Sequence, residues 1–259
     1  MIRSDIDWNE TRKQFLTAEP FNHVVIDNFF LPDIAEELSQ EFPDPNSEDV
    51  INYSNPLEVK KVLNRWDKFP STTYQTFSFF GREVFLEYMR SLVGERTLWL
   101  DFGLNGGGWH MHGRGGNNNV HLDYNIHPKL NEQRKLNIIV YLTKDWNPEW
   151  NGGLEIWSHD EETKQPKEMV KKVDNVFNRA IIFDTTQNSW HGLPKYITCP
   201  EGIYRKSIAA YFVRPAPEGT EKRGRALFAP REEQKNDLSV KELIAKRADV
   251  TASKDVYRQ

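Results

Sequence analysis

"RAIIFDTTQNSWHGLPKYITCPEGIYRKSIAAYFV", residues 179–213, holds the architecture in miniature. An apolar, β-branched run reads as a buried strand. A polar loop then leads to His191 and a glycine, and a second strand closes the stretch. Arg205 follows His191 by fourteen residues, and no helical periodicity lies between. The same texture continues upstream in "TLWLDFG" (97–103), "NVHLDY" (119–124), "KLNIIVYL" (135–142) and "GLEIW" (153–157). Gly, Asn, Pro and charged clusters separate these runs, so parallel βαβ units do not fit. The expected fold is mainly β (α+β), an antiparallel sandwich or jelly roll over about 97–214.

The first ninety-six residues read differently. "HVVID" (23–27) is a strand candidate. "LPDIAEELSQEF" (31–42) spaces Ile34, Leu38 and Phe42 by four behind an early proline, as a helix does. Residues 71–93 place Tyr74, Phe77, Val84, Tyr88 and Leu92 at helical intervals, with Gly81 an expected weak point. Residues 1–96 therefore give helical support to a single domain ending near 215. Residues 216–259 turn heavily charged, and Ser239 with Glu242 forms a capping box that opens a short helix through Ile244.

Lys and Arg number 34 against 38 Asp and Glu, a net charge of −4 over 259 residues. That balance predicts no nucleic-acid or membrane partner. The sole cysteine, Cys199, cannot form an internal disulfide. No leader-like or spanning apolar run is present, and a cytoplasmic protein is the expectation.

Four of the seven histidines fall within 106–129: His110, His112, His121 and His127. His121 and Asp123 stand two apart in a strand-like context, so both side chains share a face. Side by side, an imidazole and a carboxylate make two corners of a 2-His-1-carboxylate site that leaves positions open, a donor set suited to Fe(II). A surface histidine beside a turn-capping aspartate gives the same spacing. Further along, Arg205 and Ser207 share a face of the last strand. A guanidinium near a divalent metal requires an anion, and a dicarboxylate could chelate the metal at one end and pair with Arg205 at the other.

The ordered set His-x-Asp, distal His and Arg-x-Ser resembles the iron- and 2-oxoglutarate-dependent dioxygenases, whose core is a double-stranded β-helix. "RKLNIIVYLTKDWNPEWNGGLEIW" (134–157) narrows the likeness to the prolyl-4-hydroxylase-like branch, with the ribosomal prolyl hydroxylases especially similar in "YL…DW…EW…GG". "FNHVVIDNFFLPDIAEEL" (21–38) is similar to the opening of many such enzymes, whereas residues 44–96 and 216–259 carry no likeness. The resemblance implies iron ligands His121, Asp123 and His191. It implies 2-oxoglutarate binding by Arg205, with Ser207 beside it, and by Tyr141, with Asn137 four residues earlier on the same face. Lys206 is the rival cation, but alternation turns it away with Ile208 and Ala210. Fe(II) and the co-substrates 2-oxoglutarate and O2 are implied, with ascorbate a candidate addition. The implied reaction hydroxylates an unactivated C–H bond and releases succinate and CO2.

His110 and His112 are a rival metal pair of cupin type, but Gly116 and Asn117 stand where a cupin carboxylate would follow. A place in the substrate-pocket wall suits them better, with Trp157 a further candidate lining residue. His127, before Pro128, reads as part of a turn, and Cys199 as structural. The seven glycines between Gly103 and Gly116 are a candidate flap over the site. The implied substrate is a peptidyl proline. An amino acid or sugar hydroxylase of the same superfamily and a non-catalytic binding module remain alternatives.

Overall fold

The computed structural model describes residues 1–221, 223 and 225–249. Residues 250–259 of the expected tail lie outside them. Thirteen strands form one strongly curved antiparallel sheet: β1 (His23–Ile26), β2 (Ile51–Asn55), β3 (Glu58–Leu63), β4 (Trp99–Leu100), β5 (Gly108–His112), β6 (Asn117–Leu122), β7 (Gln133–Tyr141), β8 (Leu154–His159), β9 (Pro166–Val173), β10 (Arg179–Asp184), β11 (His191–Leu193), β12 (Arg205–Arg214) and β13 (Leu227–Phe228). The main path runs β1-β10-β7-β12-β5-β3-β6-β11-β8-β9, with β2 on β3, β4 on β12 and β13 on β6. The ends of that path approach each other, where Lys171 Nζ donates to His23 Nε2 at 3.1 Å. The result is a nearly closed, jelly-roll-like barrel.

Alternation along β12 shows why one sheet serves two purposes. Ile208, Ala210 and Phe212 join a large apolar core with Ile138 and Val140 of β7 and Ile182 of β10. Helices cover that face: α1 (Trp8–Thr17), α2 (Pro32–Gln40), α3 (Ser71–Phe80) and α4 (Glu83–Val93) supply Phe15, Leu38, Phe77, Phe80 and Met89. Arg205, Ser207, Ala209 and Tyr211 point the other way, into the barrel, because successive strand residues face opposite sides. Lys206 lies among the helices, its ammonium above Phe42 and near Ser39.

Three expectations change. Residues 1–96 contribute β2 and β3 to the sheet besides the expected strand β1 and the helices. The glycine-rich stretch is not one loop, since β5 is paired on both sides, with β12 and with β3. No flap can be made of a strand held on both edges. The last helix, α5 (Leu238–Ala248), is capped by Asp237, whose carboxylate accepts from Ser239 and Val240 N–H. Ser239 thus lies inside the helix, because the aspartate two residues earlier reaches the free N–H groups first. Among the described residues no helix is long and apolar enough to cross a membrane.

Candidate metal centre and co-substrate pocket

β6 and β11 pair so that His121 stands directly opposite His191, and Asp123 follows just past the end of β6. All three side chains are buried, and one donor atom from each lies within 4.8 Å of the others. His121 Nε2 is 3.7 Å from one Asp123 oxygen, and His191 Nε2 is 3.9 Å from the other. Both Nδ1 atoms lie 2.8 Å from backbone carbonyls, those of Asn119 and Ser189. A carbonyl only accepts, so each Nδ1 carries a proton, and each Nε2 is the atom turned to the centre. Burial, aided by the neighbouring His191, pushes the His121 pKa down to about 3. Burial pushes the Asp123 carboxyl up, but His191, His121 and Arg134 outweigh it and the pKa falls below the usual value. A neutral His121 beside an ionised Asp123 is the pair of protonation states that a divalent metal requires.

Across the barrel, β12 and β7 set Ser207 opposite Tyr141, and β5 sets His112 opposite Arg205 and His110 opposite Ser207. Arg205 is 2% exposed, and no carboxylate of the described residues lies within ion-pair distance. Its Nε donates to the Gly152 carbonyl at 2.7 Å, and Nη1 reaches Ser207 at 3.3 Å. Gly152 (φ +82°) allows that approach, since a Cβ there would stand 3.2 Å from Arg205 Cδ and would strain the backbone. The guanidinium lies 4.8 Å from the centre of the Tyr141 ring. Tyr141 Oη, Asn137 Oδ1 and both ring nitrogens of His112 are buried without a hydrogen-bond partner. Tyr141 and His112 thus bring buried, unmatched polar atoms to the strand positions beside a guanidinium without a counter-charge, while Asn137 lies further along β7, opposite Tyr211.

The remaining candidates separate clearly. His110 is partly exposed, with Nε2 3.1 Å from the Gly106 carbonyl; burial and the charges of Lys60 and Arg205 hold its pKa near 3. Neither His110 nor His112 belongs to a metal-ligand cluster among the described residues. Trp157 is half-buried, donates to Glu155, and packs near Val120, Leu122 and Trp190. His127 accepts from the Lys129 and Leu130 N–H groups and faces Asp101 at 3.3 Å, a purely structural arrangement.

Residues with no signal in the motif also shape the centre. Tyr211 Oη donates to Asp123 at 3.1 Å, and Arg134 is sandwiched between the Tyr124 and Tyr211 rings at 3.3 and 3.5 Å. Tyr211 was accessible by alternation, four residues beyond Ser207 on the same face. Arg134 was not.

The family model for the 2OG-Fe(II) oxygenase superfamily matches residues 107–213. Prolyl 3-hydroxylase OGFOD1 of Mus musculus is 29% identical over 85 residues, which is 33% of this chain and only 15% of that protein. A prolyl-4-hydroxylase from Pseudomonas putida superposes with TM-score 0.57 at 13% identity, covering 81% of this chain and all of the other. A Trichoplax adhaerens prolyl hydroxylase in complex with a hypoxia-inducible-factor peptide fragment gives 0.53 at 17%, covering 80% and 89%. The matched range contains the His-Asp-His cluster, Arg205 and the strands that position them, so over these residues the chain is similar to the 2OG-Fe(II) oxygenase superfamily.

Proposed function

We propose that the protein is an Fe(II)- and 2-oxoglutarate-dependent hydroxylase whose substrate is a prolyl residue in a peptide or protein. The observation carrying this reading is Arg205, a fully buried guanidinium that lacks a carboxylate and points into the same barrel that holds the His121–Asp123–His191 cluster. A dicarboxylate spanning the two supplies both the missing anion and a metal chelate. The prolyl hydroxylase relative and the two structural neighbours support the choice of substrate.

Bound iron would supply a site for 2-oxoglutarate chelation and dioxygen chemistry. His121, Asp123 and His191 would hold one face of it. Arg205 would bind the far carboxylate through Nη1 and Nη2, since its Nε is committed to Gly152. Tyr141 Oη, with no other partner, would donate to the same carboxylate, and Ser207 would steady the guanidinium. The apolar floor of Ile156, Ile181 and Phe183 would exclude water. His110, His112 and Trp157 would line the substrate side. A buried, lone Cys199 suits a reducing, cytoplasmic setting.

Anaerobic addition of Fe(II) and 2-oxoglutarate should give the weak visible charge-transfer band of the chelate. His191→Ala should abolish it and His110→Ala should leave it. No band from folded wild-type protein would overturn the reading. Succinate release, screened over proline-containing peptides, free amino acids and sugars, then tests the substrate. Release with a small metabolite and none with any peptide would reassign the enzyme to the amino acid or sugar hydroxylases.

A further inference from the structure

Residues 223 and 225–248 lie wholly beyond the range matched by the family model, yet they touch the His121–Asp123–His191 cluster at several points. β13 pairs with β6 at His121 itself, and the Phe228 ring stacks on the His121 imidazole at 5.1 Å. Arg223 donates to the Asp123 carbonyl at 2.9 Å and exchanges backbone and side-chain hydrogen bonds with Asn125. Most telling is Asn119, fully buried and two residues before His121. Its carbonyl takes the His121 Nδ1 proton. Its side chain is gripped from the C-terminal segment alone and its neighbour Asn117: Nδ2 donates to Gln234 Oε1 at 2.7 Å and to the Ala229 carbonyl at 3.1 Å, while Oδ1 accepts from Arg231 at 2.8 Å and from Asn117 at 3.3 Å.

Gln234 has a second hand. Its Nε2 donates to the Pro56 carbonyl in the turn between β2 and β3 at 2.8 Å. Leu57 from that turn is buried with Phe228 and Val240, and Arg247 of α5 reaches Glu58 at 2.6 Å. One segment therefore fastens the β2–β3 hairpin to the strand that carries His121.

We propose that residues 229–234 are a positioning strap, in which Gln234 and Arg231 hold Asn119 and thereby fix His121 in its metal-ligating orientation. The physical reason is that a ligating imidazole must present Nε2 along one direction, and the Nδ1 acceptor is the hydrogen-bond partner that sets that direction. Asn119 supplies that acceptor, and its position depends on residues more than a hundred positions away. The inference rests on the proposed metal centre.

The test uses the full chain and Co(II) as probe, read by its d–d absorption and by titration. Gln234→Ala and Arg231→Ala should each weaken Co(II) binding by about tenfold, the usual effect of losing an outer partner of a metal-ligating histidine, and should alter the d–d spectrum. Leu243→Ala is the structural control. It loosens α5 without touching Asn119, so it should lower thermal stability and leave Co(II) affinity unchanged. Wild-type affinity in both strap variants overturns the inference, as does equal weakening by Leu243→Ala. Should Gln234→Ala fail to fold, Arg231→Ala decides alone. A wild-type chain that takes up no Co(II) overturns the metal reading and the strap with it, whereas wild-type uptake with unaltered variants removes only the strap.

Discussion

Arg205 is buried with a carbonyl, a hydroxyl and an aromatic face for company, and none of these neutralises its charge. Burial accordingly lowers its pKa, against the opposing effect of Tyr141. A buried charge without a counter-charge opposes folding, so function rather than stability explains its presence. Arg205→Met should give an apo protein at least as stable as wild type, by up to about 2 kcal/mol in urea unfolding, because the lost bond to Gly152 offsets part of the gain. The same variant should bind no 2-oxoglutarate. A loss of several kcal/mol would mark Arg205 as a structural strut instead. At this scale the sequence spoke through spacing: a separation of two put His121 and Asp123 on one face, and Arg205 and Ser207 on another. Asn119, Arg231 and Gln234 were silent, because their hydrogen bonds span more than a hundred residues and no local pattern encodes them.

Elements were legible where one face had to be apolar. β7, β10 and β12 are buried on both sides and read as near-continuous hydrophobic runs, and α2 to α4 keep helical spacing against the core. β2, β3 and β9 were missed because "INYSN", "EVKKVL" and "PKEMVKKV" carry lysines and polar residues on exposed or edge positions. β5 was obscured by its glycines, which packing explains. Gly108 adopts φ +96°, and a Cβ there would meet the Leu63 carbonyl oxygen at 2.3 Å and Asn64 Cα at 2.8 Å. β3 thus passes closer to β5 than any side chain permits. Gly108→Ala should cost roughly 2–4 kcal/mol, since backbone strain adds to a clash with main-chain atoms that cannot step aside. Urea unfolding measures it, and a loss below about 1 kcal/mol would mean that β3 can withdraw freely. Because β5 carries His110 and His112 opposite Ser207 and Arg205, the variant should also weaken 2-oxoglutarate binding.

Over the whole molecule, the sheet divides two environments: an apolar layer under the helices and a barrel interior that buries the His121–Asp123–His191 cluster and Arg205. The interior stores a liability that pH can expose. His110 is held near 3 in the folded protein, and His112 well below its ordinary value, first because water is withheld from the partly exposed His110 ring and the buried His112 ring and then because Arg205 and Lys60 repel a second positive charge. In the unfolded chain both return to about 6.5. The unfolded state therefore binds more protons below pH 6.5, and stability that is complete above 6.5 falls as the solution is acidified. Each histidine contributes a slope of about 1.4 kcal/mol per pH unit until its folded pKa is reached. Glu58 joins at lower pH: burial raises its pKa, Lys60 and Arg247 more than offset that, and the value settles near 2 against 4.5 unfolded. Its stabilising ion pairs, one within β3 to Lys60 and one to Arg247 of α5, are thus present above 4.5 and lost as pH falls towards 2. Urea midpoints of the metal-free protein should be level from pH 8 to 7 and then decline steeply from 6.5 to 5. His112→Gln should flatten that decline by the share of one proton, because glutamine keeps a polar group in the same space without titrating. A wild-type midpoint that stays constant down to pH 5 would show that the barrel interior admits enough water to charge its histidines freely, and would remove the electrostatic case for a closed anion receptor.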